Sequence, residues 1–428
     1  MTRIALLSSE PIRPLMAGIG IRYLELARRL PRYGFEVLLV SPAAPADSAA
    51  LGLPAPPAVT LRRFERGRLP EILAGCAAAV AQGQLGNDLL LEVPGLPAAL
   101  DLYDPWLVEN LSYVETLGLD PYRNDHATWV LQLSRGDFFL CSSEEQRTFY
   151  LGFLTALGRV NPERLADDPD LATLIAPVPF GVPEELPPHR PVLPPRPLGE
   201  RRLLFGGLYD WYDPWTLLDA LARPELAARP WTLLLIRNPN PEATPQRLFA
   251  EVEARCRRLG WWGSRVEILD WIPAERRYDL LRDADLLVAP HRPSLETRLS
   301  LRTRFLDALA AGCPVITSEG GTIGRLLAEH RAGWVVPPGD PAALAGAVVE
   351  ALDRPQEIAA AQEEGARRLL ADFTWDRALA PLVRFCRDPR TDPTKERFAH
   401  RPATVVPPDR LGFRLQRRLR RLLAGAGA

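Results

Sequence analysis

Residues 3–42 read RIALLSSEPIRPLMAGIGIRYLELARRLPRYGFEVLLVSP. A short apolar run, IALL, leads into a loop carrying Gly18 and Gly20. An amphipathic segment, IRYLELARRLPRYG, follows, and then a second apolar run, FEVLLVSP. Strand, loop, helix, strand is the βαβ unit, which demands a parallel sheet and a right-handed crossover. Working outward, further strands are expected over 89–93 and 138–142, the second passing through a Ser-Ser-Glu-Glu N-cap signature into a helix. The alternation stops near Phe180. Residues 183–198, PEELPPHRPVLPPRPL, are too rich in proline to join a sheet and read as a linker.

The same pattern then restarts: RRLLFGG, a helix over 214–221, WTLLLIRN, a helix ending at Arg258, RVEILDWI, a helix over 274–282, DLLVAP. Helices over 301–311 and 322–330 lead into CPVITSEGG and GWVVPPGD, and a helix over 341–352 follows. A length of 428 residues also favours two domains over one. The expected fold is therefore α/β, with two doubly wound parallel-sheet domains facing a cleft. Ligands bind such sheets at the carboxyl ends of the strands.

Composition narrows the function classes. Hydrophobic residues at 47% and charged residues at 25% are those of a globular chain. Without an 18-residue apolar run or a signal-peptide pattern at the start, the expected location is cytoplasmic. The five cysteines are scattered singly and the five histidines do not cluster, so neither a disulfide framework nor a metal centre is expected. Net charge is −1, but residues 387–428 carry +7 and the rest −8. An acidic body argues against nucleic acid as a partner. In the tail, RLGFRLQRRLRRLL over 410–423 sets Leu411, Leu415, Leu419 and Leu422 on one stripe, a basic amphipathic pattern suited to an anionic membrane surface or to a docked or frayed terminus.

One segment suggests phosphate chemistry. HRPSLETRLSLRTRFLD, residues 291–307, lies between an apolar strand and a helix and carries Arg292, Arg298, Arg302 and Arg304. Guanidinium groups at the first turn of a helix suit a pyrophosphate. Thr303, Arg304 and Asp307 share a face of that helix, where Asp307 is placed to accept hydrogen bonds from ribose hydroxyls. A salt-bridge lattice of these arginines with Glu296 and Asp307 is the competing reading. The glycine pairs Gly206–Gly207 and Gly320–Gly321, like Gly18 and Gly20, allow backbone N–H groups to approach a phosphate or simply make tight turns. GIGIRY lacks the third glycine of the dinucleotide fingerprint, so an NAD site is not expected.

Over roughly residues 1–387 the chain resembles the family 4 type of retaining glycosyltransferases, which have the GT-B fold of two Rossmann-like domains. The resemblance rests on MAGIGIRYLELARRLPRYGFEVLLVS, on PVPFGVP, on FLDALAAGCPVITSEGGTIGRLL and on GWVVPPGDPAALAGAVVEAL, in that order. It implies an acceptor-side domain over 1–182, a linker over 183–200 and a nucleotide-sugar domain over 201–371. A helix over 372–387 would return to the first domain, and a basic tail would occupy 388–428. The chain departs from the family where two glutamates map onto Leu299 and Asp307, and where an Arg and a Lys map onto Gly207 and Tyr212. LETRLSLRTR, GGLYDWYDPWT and the DLYDP at 101–105 look like a bacterial subgroup associated with surface-polysaccharide assembly.

The resemblance implies transfer of a sugar from a nucleotide-diphosphate sugar to a hydroxyl of a glycan or lipid-linked glycan, with retention and without an obligate metal. Glu296, Arg302 and Arg304 are the expected catalytic residues. Gly18, Gly20, Gly206, Gly207, Arg298, Thr303, Asp307, Gly320 and Gly321 would bind the donor. Asp101 and Asp104 would orient acceptor or donor hydroxyls, unless Asp104 merely caps the turn into PWLVEN. Tyr209, Trp211 and Tyr212 either stack on a base or sugar or pack in the core. The competing functions are a non-catalytic scaffold and a sugar-nucleotide 2-epimerase, the latter needing a histidine for which only His291 qualifies. The tail would hold the protein peripherally on the inner face of the membrane.

Overall fold

The computed structural model describes residues 1–43, 51–237, 247–399 and 415. It contains two wholly parallel sheets. The first comprises β1 (Thr2–Leu7), β2 (Phe35–Ser41), β3 (Val59–Arg63), β4 (Ala78–Ala81), β5 (Ala98–Asp101), β6 (Phe138–Cys141) and β7 (Ile175–Pro177), in the order β3-β2-β1-β4-β5-β6-β7. The second comprises β8 (Arg201–Gly207), β9 (Trp231–Ile236), β10 (Val266–Leu269), β11 (Leu286–Ala289), β12 (Val315–Ser318) and β13 (Trp334–Val336), in the order β10-β9-β8-β11-β12-β13. Alternate residues of β1 serve opposite faces: Ile4 and Leu6 pack into one core layer, Ala5 and Leu7 into the other. Burial on both faces explains why these strands read as continuous apolar runs rather than as alternating patterns.

The expected strand over 89–93 is instead the end of a helix, Gln84–Glu92. A run such as LLLEV does not distinguish a strand from a buried helix by periodicity alone. The neighbouring strands Ala78–Ala81 and Ala98–Asp101 are built largely from alanine, whose weak strand preference is overridden by burial between layers. The helix expected over 301–311 begins at Thr303 with Arg302 at its N-cap. The one expected over 274–282 divides into a 3-10 turn, Ala274–Arg276, and a helix, Arg277–Asp283.

The proline-rich connection lies along that last helix. Asp283 accepts from the amides of Val192 (2.6 Å) and Leu193 (2.9 Å) and pairs with His189, while Asp279 accepts from the amide of Arg190 at 3.0 Å. Further on, Trp375, Leu379, Leu382 and Cys386 of the helix Trp375–Arg387 join the core of the first sheet. Residues 388–399, within the stretch read as a tail, are docked: Asp392 sits between Arg159 and Arg164 at 2.8 and 2.6 Å, and Lys395 pairs with Asp137 at 2.8 Å. The amphipathic stretch 410–423 lies outside the described residues except for Leu415, which is exposed.

The two halves touch beside the carboxyl ends of their strands. Ala274 donates its amide to Pro14 O at 3.0 Å, and Trp271 Nε1 donates to Met16 O at 2.9 Å. Ion pairs Arg28–Glu275 and Arg325–Glu145, at 2.6 and 2.7 Å, cross between the halves. No helix among the described residues is long and apolar enough to cross a membrane.

Candidate active site

Strand order reverses at β1, which lies between β2 and β4, and at β8, which lies between β9 and β11. Loops leaving the strands on either side of such a point diverge and open a crevice. In the second sheet those loops carry Tyr209–Tyr212 and the segment from His291 to Arg302, joined by a bridge between Tyr212 and His291. Gly206 lies at a bulge with φ +90°, and a Cβ there would come within 2.6 Å of Arg304 Nη1. Glycine is favoured here by the backbone conformation, and its missing side chain leaves the guanidinium of Arg304 room at the bulge.

Arg304 donates to Phe205 O at 3.2 Å and lies 4.8 Å from the centre of the Tyr212 ring. Among the described residues no carboxylate comes within ion-pair distance of it. Arg302 differs: it is buried, covers the same ring at 5.2 Å and is paired with Glu296. Glu296 is buried and lines neither of the two chambers that meet at Arg304, and its Oε1 is without a partner among the described residues. Arg277 pairs with Asp307 at 3.3 Å, leaving Asp307 Oδ1 buried and unpartnered. Burial pushes the Asp307 carboxyl up, and Arg277 opposes the shift.

Two chambers meet at these residues. The first, about 220 Å³, is bounded by Met16, Ile21, Ile236, Ile272, Arg277 and Asp307 among others, and its walls are mostly apolar. The second, about 300 Å³, takes in Tyr103, Asp104, Glu109, Tyr113, Trp211 and Arg302. Gly18, Tyr209, Thr303 and Arg304 belong to both, so the chambers are compartments of one cleft spanning the two sheets. Tyr209 and Trp211 are stacked, with ring centres 5.1 Å apart and planes 7° from parallel.

The first-sheet wall is organised by carboxylates. Glu10 receives the amides of Ala17 and Gly20, both at 2.6 Å, at the start of the helix Gly18–Arg29. Burial raises its carboxyl, while the two amides pull the other way. Asp101 is fully engaged: Arg22 Nε donates to Oδ2 at 2.7 Å and Arg22 Nη2 to Oδ1 at 3.1 Å, with both side chains 1% exposed. It therefore has no surface to offer a hydroxyl. Asp104 does line the cleft and caps nothing, since the helix Trp106–Asn110 has Pro105 at its N-cap. Burial, then the nearby Asp101, raises its carboxyl to about 7. Glu109 is raised well above the usual range by burial and by Asp104.

The structure thus brings together Gly18, Gly206, Gly207, Thr303, Arg304 and Asp307 in the first chamber, and Asp104 and Arg302 in the second. Gly20 lines neither, and its amide is already taken by Glu10. Arg298 is exposed and also lines neither chamber. Gly320 and Gly321 also line neither chamber; a Cβ on Gly321 would meet Thr297 O at 2.4 Å, so this glycine serves packing against the helix Leu295–Leu299. His291 is buried, with Nδ1 3.1 Å from Thr317 Oγ1, and burial together with Arg302 and Arg304 holds it neutral. Glu10, Glu109, Tyr113, Arg277 and Ser300 were not foreseen. Only Glu109 had a signal, its position one short helix after the DLYDP segment.

Comparison with known proteins fits this geometry. Residues 200–354 match the family described as Glycosyl transferases group 1. The chain is 29% identical over 192 residues to the D-inositol 3-phosphate glycosyltransferase of Jonesia denitrificans, a match covering 44% of this chain and 42% of that protein. It is 24% identical over 402 residues to the phosphatidyl-myo-inositol mannosyltransferase of Mycobacterium leprae, covering 89% and 96%. Among solved structures, sucrose-phosphate synthase from Thermosynechococcus elongatus superposes with a TM-score of 0.64 at 18% identity, covering 90% of this chain and 98% of that one. Anabaena HepE in complex with UDP and glucose gives 0.60 at 14% identity, with coverage of 90% and 99%. The two parallel sheets thus have the GT-B fold, and the second of them lies within the stretch, residues 200–354, that matches the Glycosyl transferases group 1 family.

Proposed function

We propose that the chain is a retaining glycosyltransferase that moves a sugar from a nucleotide-diphosphate sugar to a hydroxyl acceptor. The observation that carries this reading is Arg304. It is a cation without a carboxylate partner among the described residues, set over a glycine bulge where the mostly apolar chamber opens into a more polar one. In this reading the nucleoside occupies the first chamber, with Asp307 Oδ1 accepting from the ribose. The diphosphate lies beside Arg304, Thr303 and the Gly206–Gly207 bulge, and the sugar sits at the junction where the second chamber opens.

Transfer breaks the bond between the sugar C1 and the diphosphate oxygen and forms a bond from the acceptor oxygen to C1 on the same face. The acceptor proton passes to the departing phosphate oxygen. Stabilisation of the charge gathered by the diphosphate is the main catalytic contribution, and it falls to Arg304. Arg302 acts by holding Glu296 and the Tyr212 ring in place. Donors of the UDP series are the first to try, in view of the UDP and glucose complex among the structural neighbours. A sugar of a lipid-linked glycan in surface-polysaccharide assembly is the acceptor we favour, with residues 410–423 holding the protein at the inner membrane face.

The test is a thermal-shift panel of UDP, GDP, dTDP, ADP and CMP, followed by assay of donor hydrolysis with the selected sugar nucleotide. A ligand at 100 times its Kd adds about 2.7 kcal/mol of stability. A selective shift by one nucleoside diphosphate is expected; no shift from any of them would refute the reading.

A further inference from the structure

Resting on the transferase reading, we propose that the second chamber receives a polyol acceptor bearing no phosphate. Charge is the first argument. Among the described residues the only cations lining this chamber are Arg302 and Arg304. Arg302 is committed to Glu296, and Arg304 stands at the junction with the nucleoside chamber, where the departing diphosphate requires it. Among the described residues lining it, neither a lysine nor a third arginine remains for an acceptor phosphate. Opposite them lie Asp104, whose carboxyl is raised by burial and by Asp101, and Glu109, raised by burial and by Asp104. A phosphate brought there would add negative charge beside the diphosphate and beside two carboxyls whose burial already resists ionisation, with no free cation among the described lining residues to offset it.

The second argument is independent of charge. Ser300 Oγ, Tyr113 OH and Trp211 Nε1 are buried without a hydrogen-bond partner, and all three residues line this chamber. A buried polar group left unpaired is costly, and three in one cavity point to a ligand that supplies the missing bonds. A hydroxyl-rich ring does so, because each hydroxyl both donates and accepts. It can accept from the indole N–H, exchange with the serine and tyrosine hydroxyls, and donate to Asp104 and Glu109. The parallel Tyr209 and Trp211 rings add an aromatic surface beside these groups.

The experiment uses the full chain saturated with whichever nucleoside diphosphate the thermal-shift panel selects. Calorimetric titration then compares compounds differing only by a phosphate: myo-inositol with its 3-phosphate, glucose with its 6-phosphate, and glucosamine with its 6-phosphate. The phosphate-free member of at least one pair should bind at least tenfold more tightly. In the double variant Asp104→Asn, Glu109→Gln the gap should narrow to less than about threefold; should that variant not fold, Glu109→Gln alone should narrow it in the same direction. Equal or tighter binding of the phosphorylated members overturns the proposal, as does failure of every compound to bind. Failure of every nucleotide to bind refutes the transferase reading itself, so the two failures are separable.

Discussion

The two walls of the cleft are built from the same parts and use them in opposite ways. In the first sheet, the helix that follows β1 has its opening amides filled by Glu10, and the buried Arg22 is closed by a bidentate carboxylate from Asp101. In the second sheet, among the described residues, Arg304 lies over the bulge at Gly206 with no carboxylate, and Asp307 keeps one oxygen unpaired. A helix N-terminus or an arginine is a ligand site only if the protein has not already satisfied it. The first wall spends its polar groups on its own architecture, whereas the second holds some in reserve.

Several substitutions would break or sharpen this contrast. The largest effect is expected for Asp101→Ala, which leaves Arg22 buried and unpaired and should cost about 3–5 kcal/mol in denaturant unfolding. A small loss would mean the first wall is less closed than its geometry indicates. Arg304→Ala should lower kcat/KM for sugar transfer by about 10²–10³, with little change in stability; an equal effect from Arg298→Ala would erase the distinction between lined and unlined arginines. Glu10→Ala should cost about 1 kcal/mol of stability through loss of the cap, with a smaller change in donor KM than Arg304→Ala causes. A donor KM that falls sharply would show that the first helix can also serve the phosphate once unplugged.

The smallest effect depends on pH. Because the folded Asp104 carboxyl titrates near 7 rather than in the usual carboxylate range, the native state binds more protons than the unfolded chain between about pH 4 and 7. Its favourable contribution is present below the unfolded value and is lost as pH rises through about 7. Asp104→Asn should therefore stabilise the protein by about 1 kcal/mol at pH 8 and by much less at pH 5. A gain that is the same at both values would show that Asp104 is not the group responsible.

Much of the fold was legible in the sequence because buried parallel strands announce themselves as apolar runs and their helices as amphipathic ones. Alanine-built β4 and β5 escaped that signal, and LLLEV imitated a strand. The second wall was legible in part, since Thr303, Arg304 and Asp307 are neighbours on one helix. The pairings were not. Nothing local says that Glu10 reaches Gly20, that Arg22 closes on Asp101 seventy-nine positions away, or that Arg277 meets Asp307. Such contacts arise only when the loops leaving different strands converge, and local sequence therefore does not separate Asp101 and Arg298, which line neither chamber, from Asp104 and Arg304, which do.

The docked segment 388–399 gives the molecule a polarity. Asp392 and Lys395 are fastened near Asp137, at the amino-terminal edge of β6, whereas the cleft opens at the carboxyl ends of the strands. Mooring and mouth are thus at opposite poles, separated by at least the length of a four-residue strand, about 13 Å. A surface gripped close to residue 399 would be at the molecule's back, and an acceptor fixed in that surface would have to reach around the first domain to be glycosylated.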